Sequence, residues 1–176
     1  MCETKYKTLL KSNKFRSSLI KTLSLIFTDI CKENDINQIK NNNKIYPFLT
    51  NTNQSISIND YLERLVKYTQ AESSTLIAML IFIDRLCEYN NFIVNSFNVF
   101  KIIFSSLIMA IKYNEDLYYD NNYYAKVGGL TLKEFNYLEI YYLRLIDFKL
   151  YISDDVFETY FRNIIDATNS FNNNNN

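Results

Sequence analysis

The sequence contains no histidine and no tryptophan, and it gives only one position to proline (Pro47) and two to glycine among its 176 residues. Each shortage closes a class of function. Without histidine there is no Ser-His-Asp triad, no histidine general base and no Cys/His zinc site. The three cysteines, Cys2, Cys31 and Cys87, are odd in number, far apart and never spaced as C-x-x-C. They read as reduced thiols of an intracellular chain rather than as a disulfide framework. No G-x-x-x-x-G-K-[ST] loop exists to cradle phosphate, since Gly128-Gly129 is followed by Leu130. Neither sign of charge is in excess, with 19 basic and 19 acidic residues, whereas a nucleic-acid binder ordinarily carries a basic surplus. Long apolar runs are missing too. The longest, Ile102 to Ile111, contains two serines and falls short of the ~20 residues of a membrane span. Lys21 interrupts the short apolar stretch near the start, so no secretory leader is expected. Acids are plentiful, but no pair stands in a recognisable catalytic context. The expectation is a non-enzyme without cofactor or metal, which binds neither nucleic acid nor membrane.

What is abundant points to helices. Apolar residues make up 48% of the chain, with 15 Tyr and 13 Phe, and almost nothing is present to break a helix. That combination favours an all-α fold over a sandwich with its many turns. Helical spacing of Leu19/Ile20, Leu23, Ile26/Phe27 and Ile30 predicts an amphipathic helix over 17–33, after a frayed basic segment 1–15. Residues 34–54, rich in Asn and holding Pro47, read as a linker, so that 1–54 forms one region. Further helices are expected from Ser57 to about Tyr68, 73–90, 95–114, 122–127, 132–148 and 153–168. The 73–90 and 95–114 helices are apolar almost all round and must lie at the centre. Residues 151–171 form a C-terminal helical region, and the asparagine tail 172–176 reads as disordered.

Local chemistry picks out four places. Gly128-Gly129 implies a backbone demand, either positive φ or a close approach that a Cβ would obstruct. Thr131 and Glu134 form a capping box that starts the 132–148 helix. Lys112 ends an apolar helix and Glu139 interrupts an apolar face. Such charges are rarely buried without partners, so an internal ion pair is one expectation. Asp84 and Arg85 stand at an apolar helix end, where Asp84 is expected to pair with Arg64 and fix one helix on the next. The cluster Tyr118, Tyr119, Tyr123 and Tyr124 has Lys126 as its only neighbouring base, so core or interface aromatics are favoured over a nucleotide-stacking platform.

Several motifs occur in a fixed order: Ile83-Asp84-Arg85-Leu86, then Met109-Ala110-Ile111-Lys112-Tyr113, then Leu138-Glu139 with Leu143 and Asp147-Phe148-Lys149-Leu150. Together they resemble the cyclin family. Ser57 to Arg64, Asn98-Val99, Asp116 to Asn121 and Tyr123 to Gly129 are similar to its P/U-type members, the relatives of the yeast phosphate-pathway cyclin. The resemblance covers 55–150 and implies a five-helix cyclin box with additional N-terminal and C-terminal helices. It also implies a role: the activating regulatory subunit of a cyclin-dependent protein kinase of the phosphate-pathway subclass. On it, Lys112 and Glu139 would hydrogen-bond backbone groups beside the kinase C-helix, while Tyr113, Leu143, Phe148 and Leu150 would pack on that helix. Two departures stand out. Phe100-Lys101 replaces the family's His-Arg, and Ser55 to Ile58 lacks the arginine signature used by some cell-cycle cyclins to dock substrates. A DNA-touching transcription factor of the same fold, and a scaffold that binds a kinase without activating it, are the alternatives.

Overall fold

A helix that is greasy on every side exists in water only when other helices enclose it, and two such helices organise this chain. The computed structural model describes residues 2–38, 47–50 and 55–173, with side chains described for 6–36, 47–50 and 55–171. Among these residues are eight α-helices and no strand: α1 (Cys2–Leu10), α2 (Asn13–Gln38), α3 (Ile58–Thr69), α4 (Ser73–Asn90), α5 (Val99–Asn114), α6 (Asn121–Gly128), α7 (Leu132–Leu145) and α8 (Asp154–Asn173). Every residue of α5 from Ile102 to Ile111 is buried. α4 lies along α5 as its most extensive neighbour, with α3, α6 and α7 also against α5, and α2 and α8 packed together outside. Ser105 and Ser106 keep the centre narrow, and the Ser106 hydroxyl donates to the Met79 carbonyl of α4 at 2.8 Å. The expected all-α fold, with α4 and α5 central, is the one observed. No helix among the described residues is long and apolar enough to cross a membrane.

The two glycines answer two separate demands. Gly129, at φ +71°, ends α6 in the left-handed region with open space around it, while a Cβ on Gly128 would come within 2.6 Å of the Phe104 ring. That ring is fully buried and packs edge-on against Phe135 of α7 at 5.3 Å. The Leu130 N–H then reaches back to the Ala125 carbonyl, closing the helix end. One residue later the Thr131–Glu134 capping box forms as expected and launches α7. α3 is capped by Ser57 and α6 by Asp120, each accepting from a backbone N–H one turn in.

Elsewhere the structure corrects the reading. The amino-terminal segment is helical rather than frayed: the Tyr6 ring packs on Phe161 at 4.4 Å, and its hydroxyl donates to Glu158. α2 runs beyond 33, because Asn34 and Asp35 find partners in the loop before α5. Asn34 donates to the Val94 carbonyl, and the Asp35 carboxylate accepts from the Ser96 N–H and hydroxyl. The described part of the expected linker is not a spacer. Phe48 is fully buried between Phe92 and Tyr142, and Lys101 donates to the Pro47 and Leu49 carbonyls. The rest of that linker, 39–46 and 51–54, lies outside the described residues. α5 starts at Val99, not at 95, because the Asn95 and Asn98 side chains bond nearby backbone groups and hold 95–98 in a turn. α8 extends through Asn173, so Asn172 and Asn173 belong to the helix and not to a disordered tail, and the rest of that tail, 174–176, lies outside the described residues.

Gly128→Ala should cost about 1–3 kcal/mol, the range for an overpacked core. Gly129→Ala should cost about 1 kcal/mol, through backbone conformation alone. Urea melts of the two variants check this order. The capping box carries a pH signature as well. Bonds from the Thr131 hydroxyl, and then from its N–H, hold the Glu134 carboxyl below its usual value. A folded pKa below the unfolded one stabilises above the ordinary carboxyl range, and the effect is lost as pH falls through the folded value. Thr131→Ala should therefore cost about 1 kcal/mol at neutral pH, with the gap to wild type narrowing below about pH 4.

Candidate functional site

The carboxyl end of α5 is where its enclosure stops. Ile111 is fully buried, Lys112 is partly open, and Tyr113 is exposed. A lysine there complements the negative end of the helix dipole. Its Nζ donates to Glu139 Oε1 of α7 and to Asn121 Oδ1 at the start of α6, both at 2.5 Å. The Asn121 amide closes the triangle on Glu139 Oε2 at 2.9 Å and also reaches Asn136. Beneath it, the Phe135 ring lies 5.7 Å from the ammonium. The internal ion pair expected from the sequence is therefore present, with the Lys112 side chain 23% and the Glu139 side chain 15% exposed. It is not saturated. An ammonium has three donors and a carboxylate about four acceptor positions, so both ends keep capacity for an outside partner. Asn121, the third member, stands in the sequence only as the last residue of the Asp116 to Asn121 stretch that resembles P/U-type members.

Flanking this net is apolar surface that none of the described residues covers. On α7 the core stripe is Phe135, Leu138 and Tyr142, with Ile146 just beyond the helix. Half-buried Leu143 lies off that stripe, four residues on from Glu139 and on its face; Ile140, 50% exposed, points outward on the side away from the core. Ile140 was missed, although an isoleucine off the core stripe was its signal. Tyr113, Phe148 and Leu150 share the wall of an open pocket with Arg85, Tyr89 and Tyr151. The structure thus gathers Lys112 with Glu139, and Tyr113 with Phe148 and Leu150. Leu143 is tied to the second group through its carbonyl, which accepts the Phe148 N–H at 2.8 Å.

α7 ends three residues earlier than its pattern predicts, because Asp147 and Phe148 both adopt φ +53°. Left-handed backbone at a non-glycine residue costs about 1–3 kcal/mol and concentrates at functional sites. Here it turns the chain so that the Phe148 ring stands 63% exposed.

The expected Asp84–Arg64 pair does not form. Arg64 instead donates to the Val127 carbonyl at 2.9 Å, just before the glycine hinge. Asp84 sits on the outer side of α4 and accepts from the Tyr160 hydroxyl of α8 at 2.7 Å. Packed atoms around it push its carboxyl above the usual range, against the pull of Tyr160, and Glu88 adds to the push. The aromatic cluster is structural for the most part. Tyr124 is buried and its hydroxyl accepts from the Tyr119 N–H, while Tyr123 donates to the Tyr68 carbonyl. Burial pushes the Cys31 and Cys87 thiols up, to about 12 and about 11, so neither is poised as a nucleophile. Among the described residues no group of three or more Cys, Asp or Glu is placed to hold a metal.

Comparison with known proteins agrees with this architecture. The family model described as Cyclin matches residues 9–150. Cyclin-U4-1 of Arabidopsis thaliana is 33% identical over 155 residues, which are 86% of this chain and 77% of that protein. Cyclin-P4-1 of Oryza sativa subsp. japonica is 36% identical over 110 residues, 62% of this chain and 52% of that protein. The PHO85 cyclin-like protein psl1 of Schizosaccharomyces pombe is 39% identical over 108 residues, 60% of this chain and 44% of that protein. Against these last two, the chain spans about half of the relative's length. With the family match running from α1 to the loop after α7, the chain belongs to the cyclin family, as a P/U-type cyclin.

Proposed function

We propose that this chain is the activating regulatory subunit of a cyclin-dependent protein kinase, of the subclass that pairs with phosphate-pathway-like cyclins. The observation that carries the reading is the half-open Lys112–Glu139–Asn121 net beside exposed Tyr113, Ile140 and Phe148. Fixed polar groups with spare capacity, flanked by uncovered aromatic and aliphatic side chains, are what a protein-binding hot spot requires. The internal pair keeps both charged groups in place before a partner arrives, so little side-chain freedom is lost on binding.

The mechanism is a shift of population. A protein kinase transfers phosphate only when its C-helix glutamate is paired with the strand lysine. A surface that fits the inward helix and not the outward one activates by that difference in affinity. Moving the enzyme from 1:99 to 99:1 takes about 5.5 kcal/mol of preference, within reach of an interface of ordinary size with a few aromatic anchors. A scaffold that binds without activating would leave turnover unchanged.

The test measures turnover and association of candidate cyclin-dependent kinases with and without the recombinant chain. Addition of the chain should raise turnover. Lys112→Ala and Glu139→Ala should each weaken association about 10- to 100-fold, or about 1.4–2.7 kcal/mol. Their stability should fall by only about 1–2 kcal/mol, since the pair is partly open to water. Ile140→Asp should abolish association while stability stays within about 0.5 kcal/mol, as for a surface site. Turnover untouched by the chain for every kinase offered, or Ile140→Asp binding like wild type, would remove the reading.

A further inference from the structure

Arg85 lies near the end of α4, a helix most of whose length is buried, and its guanidinium reaches outward to the chain that follows α7. Nη1 donates to the Lys149 carbonyl at 2.6 Å and Nη2 to the Tyr151 carbonyl at 2.9 Å. The Phe82 ring, 5.8 Å from the guanidinium carbon, helps to fix its position. Those two carbonyls bracket Leu150. On the other side of the loop, the Phe148 N–H is held by the Leu143 carbonyl, and the Leu150 N–H by the Phe148 carbonyl. Between these two anchors stand Asp147 and Phe148, consecutive non-glycine residues in the left-handed region. Two such residues in succession persist only where their surroundings over-determine them. α7 supplies the near anchor and Arg85 the far one.

We propose that Arg85 is a positioning residue for partner binding: its two bonds to the 149 and 151 carbonyls hold the 147–151 loop in the shape that presents Phe148 at the docking surface. This role rests on the kinase-binding reading above, while the shape of the loop can be tested without a kinase. The planar fork matters, because two donors in fixed register grip two carbonyls at once and a lysine ammonium has no such register. Arg85 thereby acts on the partner through Phe148 and the pocket wall it shares with Tyr113, Leu150 and Tyr151.

The experiment uses the full chain as wild type, Arg85→Ala, Arg85→Lys, Phe148→Ala and the Arg85→Ala/Phe148→Ala double variant. Hydrogen exchange of the free proteins reads the loop. In Arg85→Ala and Arg85→Lys, amides within 147–151 should exchange at least tenfold faster, while those of α4 and α5 keep wild-type protection. Kinase association reads the consequence. Arg85→Ala should weaken it about tenfold on its own, and by less than twofold when Phe148 is already alanine. Unchanged loop exchange in Arg85→Ala overturns the assignment, as do losses that multiply in the double variant. General loss of protection through α4 and α5 would also overturn it, by making Arg85 a residue of the fold. If the wild-type chain engages no kinase, the functional reading falls and the docking role falls with it. A wild-type chain that binds normally confines any failure to Arg85.

Discussion

The complete enclosure of α5 from Ile102 to Ile111 is the constraint from which the rest of the arrangement follows. Ten consecutive residues with no water-facing side require neighbours in every direction, and the other helices are placed to supply them. Phe104, near the start of that run, needs the missing side chain at Gly128, so the α6–α7 hinge is fixed by what α5 buries. Once α6 and α7 are set by that hinge, Asn121 and Glu139 arrive at the point where α5 comes out to water. Lys112 is the first residue there able to meet them. The polar net is thus a product of core packing, and its position does not depend on any flexible loop.

Much of this was legible because it is local. Helical periods in α3 to α8, the Thr131–Glu134 box and the left-handed turn at Gly129 all express interactions within a few residues. Lys112 and Glu139 were legible for another reason, since a charge in an apolar run has few ways to be tolerated. What the sequence withheld depends on distance along the chain. Tyr160, which claims Asp84, is 76 residues away, and no local pattern distinguishes it from Arg64 as a partner. Phe48 lies in a polar, Asn-rich stretch, and only the fold shows that it fills a space beside Phe92 and Tyr142. The end of α7 was misplaced because Asp147 and Phe148 adopt a conformation against their own preference. The grip of Arg85 on the loop beyond them was invisible for the same reason: it runs through main-chain carbonyls, which carry no residue identity.

The exposed surface divides into a part that is held and a part that is strained. Lys112, Glu139 and Asn121 are cross-linked to one another and cannot wander, whereas Phe148 stands on left-handed backbone and relies on anchors at either side. Preorganisation of the first kind lowers the entropy lost on association. The second kind leaves a large ring 63% exposed to water.

Two adjacent side chains on one turn of α4 have a practical bearing on how this protein is cut for expression. The family match stops at residue 150, and a truncation there would look reasonable from an alignment. It would delete the Tyr151 carbonyl that Arg85 grips and the Tyr160 hydroxyl that Asp84 accepts from, and it would strip Phe161 from its seat against Tyr6 and Phe15. A shortened clone ending at the homology boundary would therefore carry a frayed loop and a bare apolar face. The minimal working fragment has to run on through α8.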